Sequence, residues 1–167
     1  MNKNFGKDLF FCEDEMTTIR PAKVTDVKEI HKLIEYYANK KEMLHRSLNA
    51  IYENIQEFVV LENKNRIIGC GALHVSWKNL AEVKSLAIAE QYKKQGLGRR
   101  IVEKLQENAR KLDIQKIFAL TFKPEFFKKL GYTVILKEIL PHKIWNECIN
   151  CYLFPDCGEI ALLIYLK

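Results

Sequence analysis

The stretch Ala81-Glu-Val-Lys-Ser-Leu-Ala-Ile-Ala-Glu-Gln-Tyr-Lys-Lys-Gln-Gly-Leu-Gly-Arg-Arg100 decides how this chain folds. Its apolar run from Val83 to Ala89 reads as a strand, and a polar turn follows. Gly96-Leu-Gly98 then leads into Ile101 to Leu112, an amphipathic segment with helical spacing. Strand, glycine loop and helix in that order leave backbone N–H groups without partners at a helix start, where the peptide dipoles favour anions. Lys93, Lys94, Arg99 and Arg100 add positive charge around the same loop. Together these residues predict a phosphate or pyrophosphate site for a nucleotide-like cofactor.

The loop pattern narrows the cofactor. A P-loop needs Gly-x-x-x-x-Gly-Lys-Ser/Thr, and the chain contains no such run. A dinucleotide fingerprint needs a third glycine near position 101, which is Ile101. Lys93-Lys94-Gln95-Gly96-Leu97-Gly98 instead resembles the acetyl-coenzyme A loop of the GNAT acetyltransferase superfamily, Arg/Gln-x-x-Gly-x-Gly/Ala, with Lys93 in the Arg/Gln place. The resemblance implies that Lys93 to Arg99 hold pyrophosphate, mainly through backbone amides.

The chain's 167 residues suffice for one core and are too few for two ordinary domains. Apolar residues make up 48% of it and the charges are mixed, which marks a globular chain. No apolar run approaches the roughly 20 residues that span a membrane. Met1 to Glu15 lack the basic start and long apolar core of a secretory signal, so a cytoplasmic location is expected. The net charge of +6 is spread along the chain, which suits a coenzyme A enzyme better than a nucleic-acid binder.

Residues 1–15 read as an appended leader, and 16–167 as one domain. Thr17 to Arg20 forms a strand ended by Pro21, and Thr25 or Asp26 caps a helix from Val27 to Asn39. Ser47 caps a second helix, Leu48 to Gln56. Phe58 to Leu61 and Arg66 to Val75 make a hairpin in which Gly69 and Gly71 allow close backbone approach. After the central strand and helix come a strand at Lys116 to Phe122 and a short helix at Glu125 to Leu130, opened by Pro124 and stopped by Gly131. Tyr132 to Ile139 and Ile160 to Leu166 complete the sheet. The fold class is α/β, a mixed central sheet of about six to seven strands flanked by four helices.

This order resembles the GNAT fold from Met16 onward. His45-Arg-Ser-Leu-Asn-Ala-Ile-Tyr-Glu-Asn54, Ile68-Gly-Cys-Gly-Ala-Leu73, Ala81 to Ile88, Ile117-Phe-Ala-Leu-Thr121, Glu125-Phe-Phe-Lys-Lys-Leu-Gly-Tyr132 and Leu140-Pro-His-Lys-Ile-Trp145 are similar to the short, stand-alone N-acetylglutamate synthases. The resemblance implies acetyl-coenzyme A as cofactor and the α-amine of an amino acid, glutamate or glutamine, as acceptor, in the first step toward arginine. It implies a small-molecule partner with no nucleic acid and no membrane, and leaves a homodimer open.

An amine acceptor is mostly protonated near neutral pH, so a base must take its proton before it attacks a thioester. Glu82, at the start of the central strand, is the candidate. By resemblance, the Leu86 amide stabilises the developing oxyanion and Ile88 pairs with the pantetheine chain. Leu86-Ala87-Ile88 breaks simple alternation, as a bulge or a fully buried strand would. Many relatives carry a tyrosine to protonate the leaving thiolate where this chain has Phe127. Tyr132, another donor or water can do so, or the weakly basic thiolate leaves unprotonated. A carboxylate-bearing substrate calls for cations: Arg46 matches a carboxylate-binding arginine of the synthases, Lys84 shares the Glu82 strand face, and Arg20 is the third candidate.

Cys148, Cys151 and Cys157, with His142, could hold zinc, form a redox-sensitive pair or stay plain thiols. Cys12 sits in the leader, and Cys70 suits a buried strand position. His31, His45 and His74 show no catalytic spacing. Outside the enzyme class, an acetyl-coenzyme A binding sensor is the alternative, since no hydroxyl occupies position 127. Within it, a protein N-terminus or a polyamine is the rival acceptor, although a polyamine site should be lined by carboxylates.

Overall fold

The structure is a computed structural model that describes residues 17–149, 151, 153 and 155–167. The leader, Cys12 included, lies outside the described residues, among which a seven-stranded mixed sheet carries five α-helices.

The strands are β1 (Thr17–Pro21), β2 (Phe58–Asn63), β3 (Arg66–Trp77), β4 (Leu80–Ile88), β5 (Lys116–Thr121), β6 (Thr133–Ile135) and β7 (Ile160–Tyr165), in the order β1-β2-β3-β4-β5-β7-β6. Every pairing is antiparallel except β4 with β5. Pro21 stays in register with Val59, because an edge strand tolerates its missing donor.

Helix α1 (Val27–Asn39) has the expected bounds and buries Ile30, Ile34 and Tyr37. Its expected cap is different. Asp26 accepts from the Lys23 amide and from Arg20, closing a 3-10 turn at Val24–Asp26 instead of capping α1. Ser47 does cap α2 (Leu48–Glu53), accepting from the Ala50 amide at 3.1 Å. That helix stops short of Gln56 and gives way to a 3-10 turn at Ile55–Glu57.

Helix α3 (Leu97–Lys111) starts four residues earlier than its apolar stripe suggested. Gly96 takes the left-handed N-cap conformation, φ +77°, and Leu97 is already buried. The helix lies on one face of the sheet, where Ile101 and Leu105 pack with Leu73, Ala81, Val83, Ile117 and Ala119. A Cβ on Gly71 would stand 2.7 Å from the Ile101 Cγ2, so only glycine lets α3 approach this closely.

Helix α4 (Pro124–Lys128) is opened by its proline as expected, and Gly131, at φ +87°, turns the chain into β6. The strand expected over Tyr132 to Ile139 is much shorter. It ends at Ile135, a 3-10 turn follows at Lys137–Ile139, and α5 (His142–Ile149) occupies a segment for which no element was expected. There Leu140 and Ile144 pack with Leu80, Phe118, Ala161 and Leu163.

The opposite face therefore carries two separate apolar clusters. One joins α1 and α2 to Val60, Cys70, Ala72 and Ala87, and the other joins α5 to β5 and β7. Glu82 and Lys84 are not members of either.

Candidate active site

The single parallel seam creates the cleft. β4 pairs with β5 only at Leu80↔Lys116, Ala81↔Ile117 and Glu82↔Phe118, yet β4 continues to Ile88 and β5 to Thr121. The strands part just beyond Glu82, and a cavity of about 1690 Å³ opens along the diverging edges.

Within the parted stretch β4 is bulged. Its register with β3 passes from Ala72↔Lys84 to Cys70↔Ala87, so Ser85 and Leu86 together face Gly71. Ser85 has φ +53°, an uncommon conformation for a serine. A bulge takes backbone groups out of the regular ladder and turns them aside. This bears out the bulge reading of the sequence and shifts it to Ser85–Leu86.

The glycine loop lies at the open end. Arg100 donates to the Gly96 carbonyl at 3.2 Å as the first bond of α3, so the N–H groups of Leu97, Gly98 and Arg99 start the helix without an acceptor inside it. Gly96, Gly98, Lys93, Lys94 and Arg99 line the cavity. The Gln95 side chain bonds back to the Gln91 carbonyl and the Leu97 side chain is buried beneath the sheet, so both can serve a ligand only through their backbone.

Lys93 is not simply a cation for phosphate. Its Nζ pairs with Glu90 at 3.0 Å and lies 4.5 Å from the Tyr37 ring centre. The Tyr37 hydroxyl donates to the Ile88 carbonyl, so α1, the end of β4 and the loop are tied together. Burial raises the Tyr37 pKa and keeps the hydroxyl protonated. Lys123 and Lys129 also line the cavity, and Lys123 reaches Glu42 at 3.4 Å. The sequence reading missed both, because the fold alone brings α4 beside the loop.

Beyond the bulge the cleft becomes charged. Glu82 is 7% exposed and pairs with Lys84 at 3.3 Å. Arg46, in the loop between α1 and α2, lines the same cavity. Among the described residues the guanidinium has no ion pair and no side-chain hydrogen bond. Burial raises the Glu159 pKa, against the opposing influence of the Cys157 thiol, Lys137 and Arg46. Lys137, Glu138, Cys148, Cys151, Cys157 and Glu159 complete this end.

The remaining candidates fall as follows. Arg20 is held by Asp26 at 2.7 Å and Glu62 at 2.6 Å and does not line the cavity, so it braces the first strand. Tyr132 is buried in the α3 core with its hydroxyl toward Gln106, and burial pushes its pKa up to about 12. It does not line the cleft, whereas Phe127 does. His142 is exposed and outside the cavity lining. Among the described residues no group of three or more His, Cys, Asp or Glu side chains could hold a metal. Cys148 lines the cleft as a free thiol, its pKa raised by burial and by the nearby Cys157, Glu159 and Glu82.

Residues 24–132 match the acetyltransferase (GNAT) family. The chain belongs to that family. An uncharacterized N-acetyltransferase of Chlorobaculum tepidum is 39% identical over 88% of this chain and 95% of its own. An amino-acid acetyltransferase of Mycobacterium tuberculosis is 36% identical over 89% of this chain and 86% of its own. Among solved structures, N-acetylglutamate synthase from Neisseria gonorrhoeae, complexed with coenzyme A and N-acetyl-glutamate, superimposes with a TM-score of 0.84 at 26% identity. The match covers 90% of this chain and 35% of that one. As a GNAT acetyltransferase the chain uses acetyl-CoA, and an anion-ready helix start beside an open strand edge fits that cofactor. Among the described residues no helix is long and apolar enough to cross a membrane.

Proposed function

We propose that this GNAT acetyltransferase acetylates the α-amine of an amino acid, glutamate or else glutamine, in the cytoplasm, as the first step toward arginine. One observation carries the reading. Arg46 presents a guanidinium to the cleft with no ion pair among the described residues, while Lys84, the cation on β4, is engaged by Glu82. An arginine fork of this kind suits a substrate carboxylate. Relatives named amino-acid acetyltransferase, and a gonococcal neighbour complexed with N-acetyl-glutamate, support the same acceptor class.

Acetyl-CoA supplies an activated thioester. The N–H groups at the start of α3, with Lys94, Arg99, Lys123 and Lys129, would hold its phosphates. Glu82 takes the proton from the acceptor ammonium, directly or through water, and the Leu86 amide within the bulge stabilises the developing oxyanion. No hydroxyl is needed at Phe127 if the weakly basic thiolate leaves as such. A thiol-release assay with acetyl-CoA across the twenty amino acids tests the proposal. Turnover confined to glutamate, glutamine or both is expected, and turnover only with polyamines or protein N-termini would refute it.

A further inference from the structure

The end of α5 forms part of the cleft wall, and it carries thiols that the acetyl transfer does not use. Cys148, Cys151 and Cys157 all line the cavity, and all three are free and partly buried. Cys157 is engaged elsewhere: its thiol donates to the Glu159 Oε2 at 3.7 Å, and its carbonyl accepts from Lys137 at 3.2 Å. Cys148 and Cys151 share a single turn, in which the Cys151 amide donates to the Cys148 carbonyl at 3.0 Å. A hydrogen bond of that span brings the two Cα atoms within about 7 Å, and a disulfide needs roughly 4.4–6.8 Å. Burial first, then Cys157, Glu159 and Glu82, raise the Cys148 pKa, so in the resting enzyme it stays a thiol.

We propose that Cys148 and Cys151 are a reversible redox site, a dithiol in the cleft wall that a small disulfide oxidises to a Cys148–Cys151 bond, slowing turnover. A thiolate of the pair attacks one sulfur of the small disulfide and expels the other as a thiolate. The second cysteine loses its proton, attacks the mixed disulfide and releases the remaining half. Two protein thiols are oxidised, the small disulfide is reduced to two thiols, and the two protein protons end on them. Cβ atoms three residues apart on a helix stand about 5–6 Å apart, whereas a disulfide holds them at about 3.5–4.5 Å. Closing the bond therefore draws in the end of α5 by about 1–2 Å. Leu140 and Ile144 anchor the other end in the core, so the movement falls on the cleft wall. A misplacement of about 1 Å can cost about a hundredfold in rate. The site acts on whichever amine the enzyme acetylates and so does not rest on the amino-acid reading.

The test treats the full chain with oxidised glutathione and follows the acetylated amine by chromatography, because a thiol-release assay would also read the reagent. The wild type should lose at least about tenfold in rate and recover it with dithiothreitol. Peptide mapping of the oxidised form should show Cys148 linked to Cys151. The double variant Cys148→Ser, Cys151→Ser should lose less than about twofold against its own reduced form, while Cys157→Ser keeps the tenfold loss. An unlinked pair, glutathione left on one cysteine, a link through Cys157, or a linked enzyme at the reduced rate would each overturn the proposal. So would an unchanged loss in the double variant. Should that variant not fold, the mapped link and the rate of the oxidised wild type decide by themselves. If the wild type acetylates no amino acid but another amine, the same comparison is made with that amine, and only the amino-acid reading falls.

Discussion

Lys84 reaches within 3.3 Å of the Glu82 carboxylate at the level where β4 and β5 part company. The side chains are 11% and 10% exposed, so water does little to weaken their attraction. If Glu82 is the base, Glu82→Gln should lower kcat by about 10²–10⁴ and remove the acidic limb of the pH–rate profile. Lys84→Met should act on kcat more than on the KM for the amino acid, since its charge serves the base. Steady-state kinetics across pH check both, and unchanged rates for Glu82→Gln would make the pair purely structural.

Arg46 should behave in the opposite way. Arg46→Ala is expected to raise the KM for the amino acid by roughly ten- to two-hundredfold, the loss of a charge-assisted hydrogen bond. The KM for acetyl-CoA should hardly move. Arg46→Lys should rescue only part of the loss, because an ammonium lacks the planar fork. An amine without a carboxylate should be acetylated equally poorly by all three forms.

Gly98 tests the cofactor site. A Cβ built there lies 3.3 Å from the edge of the Phe126 ring, on the first turn of α3. Gly98→Val should press on that ring and obstruct the helix start, weakening acetyl-CoA binding at least tenfold by calorimetry. Gly96 differs in kind. Nothing lies within 4 Å of its would-be Cβ, but φ +77° strains any other residue, so Gly96→Ala should cost about 1 kcal/mol of stability.

The Arg20–Asp26 pair makes a stability prediction with a definite sign. The Arg20 guanidinium and the Lys23 amide hold the Asp26 carboxyl below its ordinary pKa. A depressed folded value means the stabilisation is complete above the unfolded pKa, about 3.9, and is lost as pH falls through the lower folded value. Asp26→Asn should therefore cost roughly 1.5–3 kcal/mol near neutral pH. Its deficit should shrink below about pH 4, as measured by urea melts at several pH values.

Local patterning made much of this legible. An uninterrupted amphipathic stripe between Asp26 and Lys40 gave α1 its bounds, and the alternation break near Leu86 signalled the bulge. What sequence could not provide was pairing across distance. Arg20, Arg46 and Lys84 look alike as cations. Only the fold shows that Asp26 and Glu62 engage the first, Glu82 the third, and no described residue pairs with the second. Helix α5 lies in a segment for which no element was expected, and it is held by burying Leu140 and Ile144 against Leu80, Phe118, Ala161 and Leu163, a contact across distance.

The short parallel seam has a mechanical meaning beyond chemistry. With three residue pairs between β4 and β5, the sheet is two antiparallel flaps hinged at Glu82 and Phe118, backed by α3. Past the hinge, the β4 edge that faces β5 has no strand beside it among the described residues, and a bound extended molecule can complete it as an extra strand would. Such a molecule is then a staple as well as a reactant. Its arrival should quiet amide exchange on both flaps at once, and its departure should return the sheet to its loosest line.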